Sequence, residues 1–314
     1  MFSQGNTVST KTPFRSLLLI VVMVALGFVI VGPLLGLQLA SAFYDGEFFQ
    51  DIQNIETVSE KPQLGTAILI MQGTATLVGL ILLPLIQITQ LERQSLKTFF
   101  PDQRQLGLML LVVAAIGLIF PVAMSPLSEW NANLSFPDFM LGFERWARQE
   151  EERLAKITLL ITDIDTIPEL IMGILVIALL PAIGEELVFR GMIQQELWRG
   201  SKNVHVAIWT SAFIFSAIHV QFFGFIPRLL LGALFGYLYF WSGNLLIPMF
   251  SHFLNNAFAV VMLYLYHTGA VTLNVAEEEA APLKYVIPCI ILAITLLYYT
   301  RKHYLETTEY EKIL

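Results

Sequence analysis

The chain has 314 residues, 56% of them hydrophobic and 14% charged, with a mean hydropathy of +0.67 and a net charge of −7. A soluble domain carries about 25% charged residues, so long stretches here must lack ionisable groups, which excludes an ordinary water-soluble globule. No clustered Lys and Arg mark a nucleic-acid partner, and the single cysteine, Cys289, excludes an internal disulfide and a Cys-rich zinc site.

A membrane-crossing helix needs about 20 predominantly apolar residues. Such stretches fall at 16–42, 66–90, 105–124, 166–195, 204–221, 225–241, 245–267 and 284–300, which predicts an all-α, polytopic transmembrane bundle of about eight spans. Lys11 and Arg15 before the first stretch and Ala40-Ser41-Ala42 after it are similar to a signal peptide. The apolar run is too long for that, since a signal core is about 7–15 residues, so an uncleaved helix is expected.

Lys and Arg collect in alternate loops: Lys11 and Arg15, then Arg93, Lys97 and Arg104, then Arg199 and Lys202, then Arg301 and Lys302. The intervening loops are acidic, with Asp45, Glu47, Asp51, Glu56 and Glu60 against Lys61 in one and Glu277, Glu278 and Glu279 in another. This bias places both termini in the cytoplasm. The 125–165 loop departs from it, holding Arg145, Arg148, Arg153 and Lys156 beside Glu144, Glu150, Glu151 and Glu152. Phe139, Leu141, Phe143, Trp146 and Leu154 give that loop an amphipathic pattern, read as a helix on the outer membrane surface, or else a plain solvated helix. Gly32 and Gly36 in span one, and Gly232 and Gly236 in span six, permit close helix approach. No internal repeat supports an inverted-repeat transporter.

Ionisable residues inside spans cost about 2.5–3.5 kcal/mol each on insertion scales and mark functional sites by default. They concentrate in spans four, five and seven: Glu185, Glu186 and Arg190, then His219, then His252 with Asn255 and Asn256. Glu186 and Arg190 are four apart and share a helix face, whereas Glu185 is rotated about 100° away and stays free for chemistry. His252 and Asn256 also share a face; Asn255 is turned about 100° from it. Pro181 and Gly184, just before the acids, are placed to loosen the helix and admit water. By rise along the helices Glu185 and His219 both lie about 20 Å from the cytoplasmic ends, while His252 comes out shallower, at about 10 Å.

Peptide hydrolysis needs an activated water, a proton carrier and an oxyanion donor, and a carboxylate, imidazoles and a carboxamide supply these. Other intramembrane protease chemistries lack their residues. His252 does not open a His-Glu-x-x-His zinc motif, Asp163 and Asp165 lie just outside span four, and Trp241-Ser242-Gly243 matches a rhomboid-type Gly-x-Ser-Gly only in part.

Glu185-Glu186-x-x-x-Arg190, Phe215-x-x-x-His219 and His252-x-x-x-Asn256, in that order, resemble the three motifs of the CAAX protease and bacteriocin-processing (CPBP, or Abi) family, over roughly residues 166–262. That family includes the type II CAAX prenyl endopeptidases and proteins similar to the lysostaphin-resistance protein. The resemblance implies that Glu185 and His219 activate water, that His252 and Asn256 stabilise the oxyanion, and that Glu186 and Arg190 support the site. It implies either a metal-independent glutamate protease or a zinc enzyme with Glu185, His219 and His252 as ligands; the poor ligand Asn256 favours no cofactor, with zinc the alternative.

Blander readings stand beside these. The two acids with Arg190 suit a structural ion pair, Phe189 and Phe215 suit packing, and Phe222, Phe223 and Phe225 suit an interfacial aromatic belt. His205, His267 and His303 sit at span ends and take no role. The expected organisation is an N-terminal region 1–165, a catalytic core 166–267 and a final span with tail 268–314. The expected protein is an intramembrane endopeptidase of a prokaryotic cell membrane whose partners are lipid and a peptide or protein substrate, prenylated or of leader-peptide type. The alternatives are a non-catalytic membrane scaffold and a proton- or ion-coupled transporter.

Overall fold

The computed structural model describes residues 12–53, 62–101, 106–272 and 279–307. Lys11, Glu56, Glu60, Lys61, Arg104, Glu277 and Glu278, which entered the loop-charge reading, lie outside the described residues. The helices that build the molecule are α1 (Pro13–Ala40), α2 (Gln63–Leu91), α3 (Leu106–Ala132), α4 (Leu141–Ile161), α5 (Ile167–Ser201), α6 (Val204–Ala217), α7 (Phe225–Ser242), α8 (Leu246–His267) and α9 (Leu283–Thr307). Among the described residues seven helices are long and apolar enough to cross a membrane, α6 is a shorter apolar helix, and no strand occurs. The protein is thus a polytopic helical membrane bundle.

Local chemistry sets the helix ends around the core. Thr166 caps α5 by accepting from the Glu169 N–H, and the Glu169 carboxylate accepts in return from the Thr166 N–H, a capping box with Pro168 in the first turn. Asn203 caps α6 by accepting from the N–H groups of His205 and Val206. Gly243, in the left-handed region at φ 62°, ends α7.

The 14-residue α6 is about 21 Å long, short of a hydrocarbon core about 30 Å thick. It still reverses the chain. Gly232 of α7 faces Ala212 and Gly236 faces Ile208, an antiparallel register in which added Cβ atoms would approach neighbours to 3.2 and 2.8 Å. Helices α5 and α8 are likewise antiparallel, since His252 meets Glu186 while Asn256 meets Ile177. The predicted fifth span is therefore a shorter apolar helix antiparallel to α7, ending at Ala217 and not at 221.

Two further expectations change. Helix α3 runs to Ala132 with Pro121 and Pro126 inside it, so the 125–165 segment begins as helix and only its later part is surface. Helix α4 does form, but its aromatic side chains do not all face a membrane: Phe143 and Trp146 pack on Phe222, with ring centroids 4.9 and 5.6 Å apart. Pro181 and Gly184 do not open α5, which is continuous. Wider π-type turns at Ile174–Leu179 and Leu187–Ile193 flank a regular stretch, Leu180–Glu186. Such turns absorb a break in the hydrogen-bond ladder, here beside a proline that has no N–H. Gly184 is a close-packing point, its missing Cβ 2.7 Å from the Leu80 Cβ of α2.

Candidate active site

The core of the site is a buried knot on α5. Glu186 is 0% exposed and Arg190 1%. Arg190 Nη1 donates to Glu186 Oε1 at 2.9 Å and Nη2 to the Gly232 carbonyl at 2.8 Å, the i,i+4 pairing that their spacing predicts. One turn further, Gln194 Nε2 donates to the Gly236 carbonyl at 3.2 Å. The two glycines of α7 therefore admit both side chains to its backbone, a supporting role that close packing alone does not describe. The guanidinium carbon of Arg190 lies 4.8 Å from the Phe215 ring centroid and 5.5 Å from that of Phe235, positions suited to cation–π attraction.

His252 joins the two acids. Its Nδ1 is 2.8 Å from Glu186 Oε1, and its ring stacks on Phe235 at 4.8 Å and 18°. A carboxylate on Nδ1 fixes the neutral ring with its proton there, leaving the lone pair on Nε2. That nitrogen is 3.9 Å from Glu185 Oε2. Glu185 makes no hydrogen bond among the described residues and its side chain is 18% exposed, against 0% for Glu186. Adjacent in sequence, the two carboxylates are thus separated by environment, as the 100° rotation predicts.

The shallow placement of His252 is overturned: it lies level with both acids. The reason is where α8 starts. Asn244 Nδ2 donates to the Pro101 carbonyl at 3.1 Å and the Leu245 N–H to the Phe99 carbonyl at 2.9 Å. Asn244 and Leu245 are 2% and 0% exposed. The helix begins inside the protein, beneath the 96–101 segment, and not at a membrane surface.

His219 sits on the turn after α6. Its Nδ1 is 2.7 Å from the Phe215 carbonyl, so Nδ1 carries the proton in the neutral ring and Nε2 is left open. Phe215, read as packing, is also the spacer between the two imidazoles, edge-on to His219 at 5.1 Å and to His252 at 6.3 Å. Val220 follows with φ 55°, a conformation that costs a β-branched residue on the order of 1–3 kcal/mol and turns the chain sharply.

That cost persists because the turn is clamped from outside. Asn131 at the end of α3, 0% exposed, donates to the Phe222 carbonyl at 3.2 Å and accepts from the Ile226 N–H at 2.7 Å. Glu151 of α4 accepts from the Phe223 N–H at 3.1 Å, and Ser216 donates to the Phe225 carbonyl at 2.7 Å. Arg148 lies 4.1 Å above the Phe223 ring. Phe222 and Phe223 are therefore seats for α4 and not an aromatic belt, and α4 is a brace on the His219 turn.

Asn256 Nδ2 donates to the Ile177 carbonyl at 3.4 Å, and Asn255 Nδ2 donates to Asn256 Oδ1 at 3.1 Å. The amide shares the His252 face one turn away, and no hydrogen bond among the described residues links it to Glu185 or His219. Among the described residues no three His, Cys, Asp or Glu side chains are grouped to hold a metal ion; Glu185, His219 and His252 do not form a zinc site as they stand. The remaining histidines are elsewhere: His205 bonds Tyr237 at 2.7 Å, His267 is 3.8 Å from Asp163, and His303 packs on Tyr299 and Tyr304. Ser242, 5% exposed, donates to the Leu238 carbonyl at 2.7 Å and ends a helix.

Arg228, in the first turn of α7, escaped the sequence reading. Its Nη2 donates at 2.6 Å to Oε1 of Gln221, two residues past His219. A lone arginine between Pro227 and Leu229-Leu230-Leu231, inside the sixth apolar stretch, is the signal that could have found it.

Comparison with known proteins places this geometry. Residues 167–258 match the family model described as type II CAAX prenyl endopeptidase Rce1-like. An uncharacterized protein YpbD of Bacillus subtilis (strain 168) is 35% identical over 88 residues, 27% of this chain; the match covers 42% of that relative's length. No solved structure matches. The stretch that carries Glu185, His219, His252 and Asn256 is thus similar to the Rce1-like type II CAAX prenyl endopeptidases, and it lies within a larger helical membrane protein.

Proposed function

We propose that this protein is an intramembrane endopeptidase that hydrolyses peptide bonds of membrane-associated substrates, prenylated or of leader-peptide type, with Glu185 as general base. The observation that carries the reading is the division of labour across His252, which bonds the fully buried Glu186 and faces the open carboxylate of Glu185. A water between Glu185 and His219 gives a proton to Glu185 as its oxygen attacks the carbonyl carbon. The oxyanion formed accepts hydrogen bonds from His252, which enters and leaves the cycle as the imidazolium with Glu186 as counterion and so carries an N–H on Nε2, and from Asn256 once its amide turns from Ile177. The proton on Glu185 passes to the leaving nitrogen, the C–N bond breaks, and His219 Nε2 takes the second water proton. Arg190 holds Glu186 in its inward orientation.

The protein would act from the cell membrane with both termini cytoplasmic. Purified protein in detergent should release a new N-terminus from a lipidated peptide, and Glu185→Gln and His219→Ala should each abolish release. Equal cleavage by wild type and both variants would overturn the reading. A chelator such as 1,10-phenanthroline should leave the rate unchanged; loss restored by zinc would replace the general-base reading with a metal-dependent one.

A further inference from the structure

We propose that Arg228, held by Gln221, is an anchor for a carboxylate of the peptide substrate beside the hydrolytic groups; the inference rests on the endopeptidase reading. The buried Arg190 and the partly buried Arg228 differ in what they lack. Arg190 has Glu186 and a backbone carbonyl. Arg228 Nη2 donates to Gln221 Oε1 at 2.6 Å, but Nη1 is shut off from solvent without a hydrogen-bond partner. Among the described residues no carboxylate pairs with it. Of the acids whose charge it feels, Glu151 is committed to the Phe223 N–H and Glu185 is the base.

A guanidinium in such a place is costly unless an anion answers it. Nothing about the fold requires a cation there, since Asn131, Ser216 and Glu151 already hold the turn. The missing partner is best brought by the ligand. A guanidinium fork matches a carboxylate through two parallel N–H bonds, and the Gln221 bond takes up Nη2 alone. Gln221 is two residues from His219, so a carboxylate bound here puts the cut bond within a few residues of it. The source is either the α-carboxylate of a chain terminus or an Asp or Glu side chain.

The test uses full-length Glu185→Gln protein in detergent micelles, where nothing is cleaved, and three fluorescent acyl-peptides. One has a free C-terminal carboxylate, one is its C-terminal amide, and one is the amide with a Glu added near the end. The free acid should bind about ten- to hundredfold tighter than the amide, the worth of charged hydrogen bonds. Arg228→Gln should erase that ratio, and Arg228→Lys should restore part of it. Recovery by the Glu-bearing amide assigns the anchor to an acidic side chain; no recovery assigns it to the terminus. Equal affinity for acid and amide in protein that retains Arg228 overturns the proposal, and this comparison needs no variant at Arg228 to fold. Cleavage by wild type with equal KM for acid and amide would overturn the anchor and leave the protease. Carboxylate-selective binding with no cleavage would do the reverse.

Discussion

The two halves of the site are built on opposite terms. Around Glu186 the charges are paired inside the protein, although Glu186 Oε2 and Gln194 Oε1 accept no hydrogen bond: one carboxylate oxygen receives both Arg190 and His252, and α7 lends carbonyls to Arg190 and Gln194. Around Glu185 and His219 they are left open, with an unbonded carboxylate, an open imidazole nitrogen and a guanidinium nitrogen without a partner. The first half uses polar groups to hold helices in register. The second keeps polar groups in reserve for something that arrives. Substitutions in the two halves should therefore separate stability from activity.

The largest effect is expected in the open half. Glu185→Gln keeps the shape and removes the base, so cleavage should fall by about 10²–10⁴-fold while the thermal unfolding midpoint in detergent stays put. A large drop in that midpoint would mean that Glu185 belongs with Glu186 as a structural acid, and the division between the halves would fail.

In the closed half the order reverses. Arg190→Ala leaves Glu186 buried without its cation, a loss of roughly 3–5 kcal/mol, visible as unfolding at lower temperature before any assay is run. Replacing both partners, as in Glu186→Leu with Arg190→Leu, should recover part of that stability, because an apolar pair strands no charge. Activity should not return with it, since His252 has then lost the carboxylate that orients it.

What could be read from the sequence divides along a related line. Glu186 with Arg190, and Glu185 facing elsewhere, follow from local helix geometry, and the chain order of the acids, His219 and His252 is the order of packed helices. The depth of His252 did not follow, because it depends on α8 starting under residues 96–101, held by Asn244 and Leu245. The brace on the His219 turn was equally hidden. Asn131 reaches backbone groups 91 and 95 residues away and Glu151 one 72 away, and no period or motif announces pairings at that range. The 125–165 connection, which read as a surface feature, proves to support the His219 turn.

That brace gives an intermediate effect. Asn131→Ala leaves the Phe222 carbonyl and the Ile226 N–H without partners, at about 1–3 kcal/mol. The strained Val220 and the His219 ring should lose definition together. Cleavage should fall by less than with Glu185→Gln, and amide hydrogen exchange should rise at 222–226 while the α5 knot stays protected. Uniform exchange across both would show that the halves are one cooperative unit.

The smallest effect belongs to an ion pair within the brace. Glu144 on α4 accepts from the Phe136 N–H at 2.9 Å and pairs with Arg148 at 2.8 Å. The Phe136 N–H first, then the Arg148 guanidinium, holds its carboxyl below the usual 4.5. A depressed carboxyl adds stability that is full above the ordinary value and is lost as pH falls through the lowered one. Arg148 is half-exposed, so the pair's share is small. Between pH 6 and 8 Glu144→Gln should leave cleavage within about twofold of wild type. Below the ordinary carboxylate range, wild type should lose protection at the Phe136 amide while Glu144→Gln shows no such step. A step that survives in Glu144→Gln would move the acid sensitivity to another carboxylate of α4, Glu151 being the one that touches the His219 turn directly.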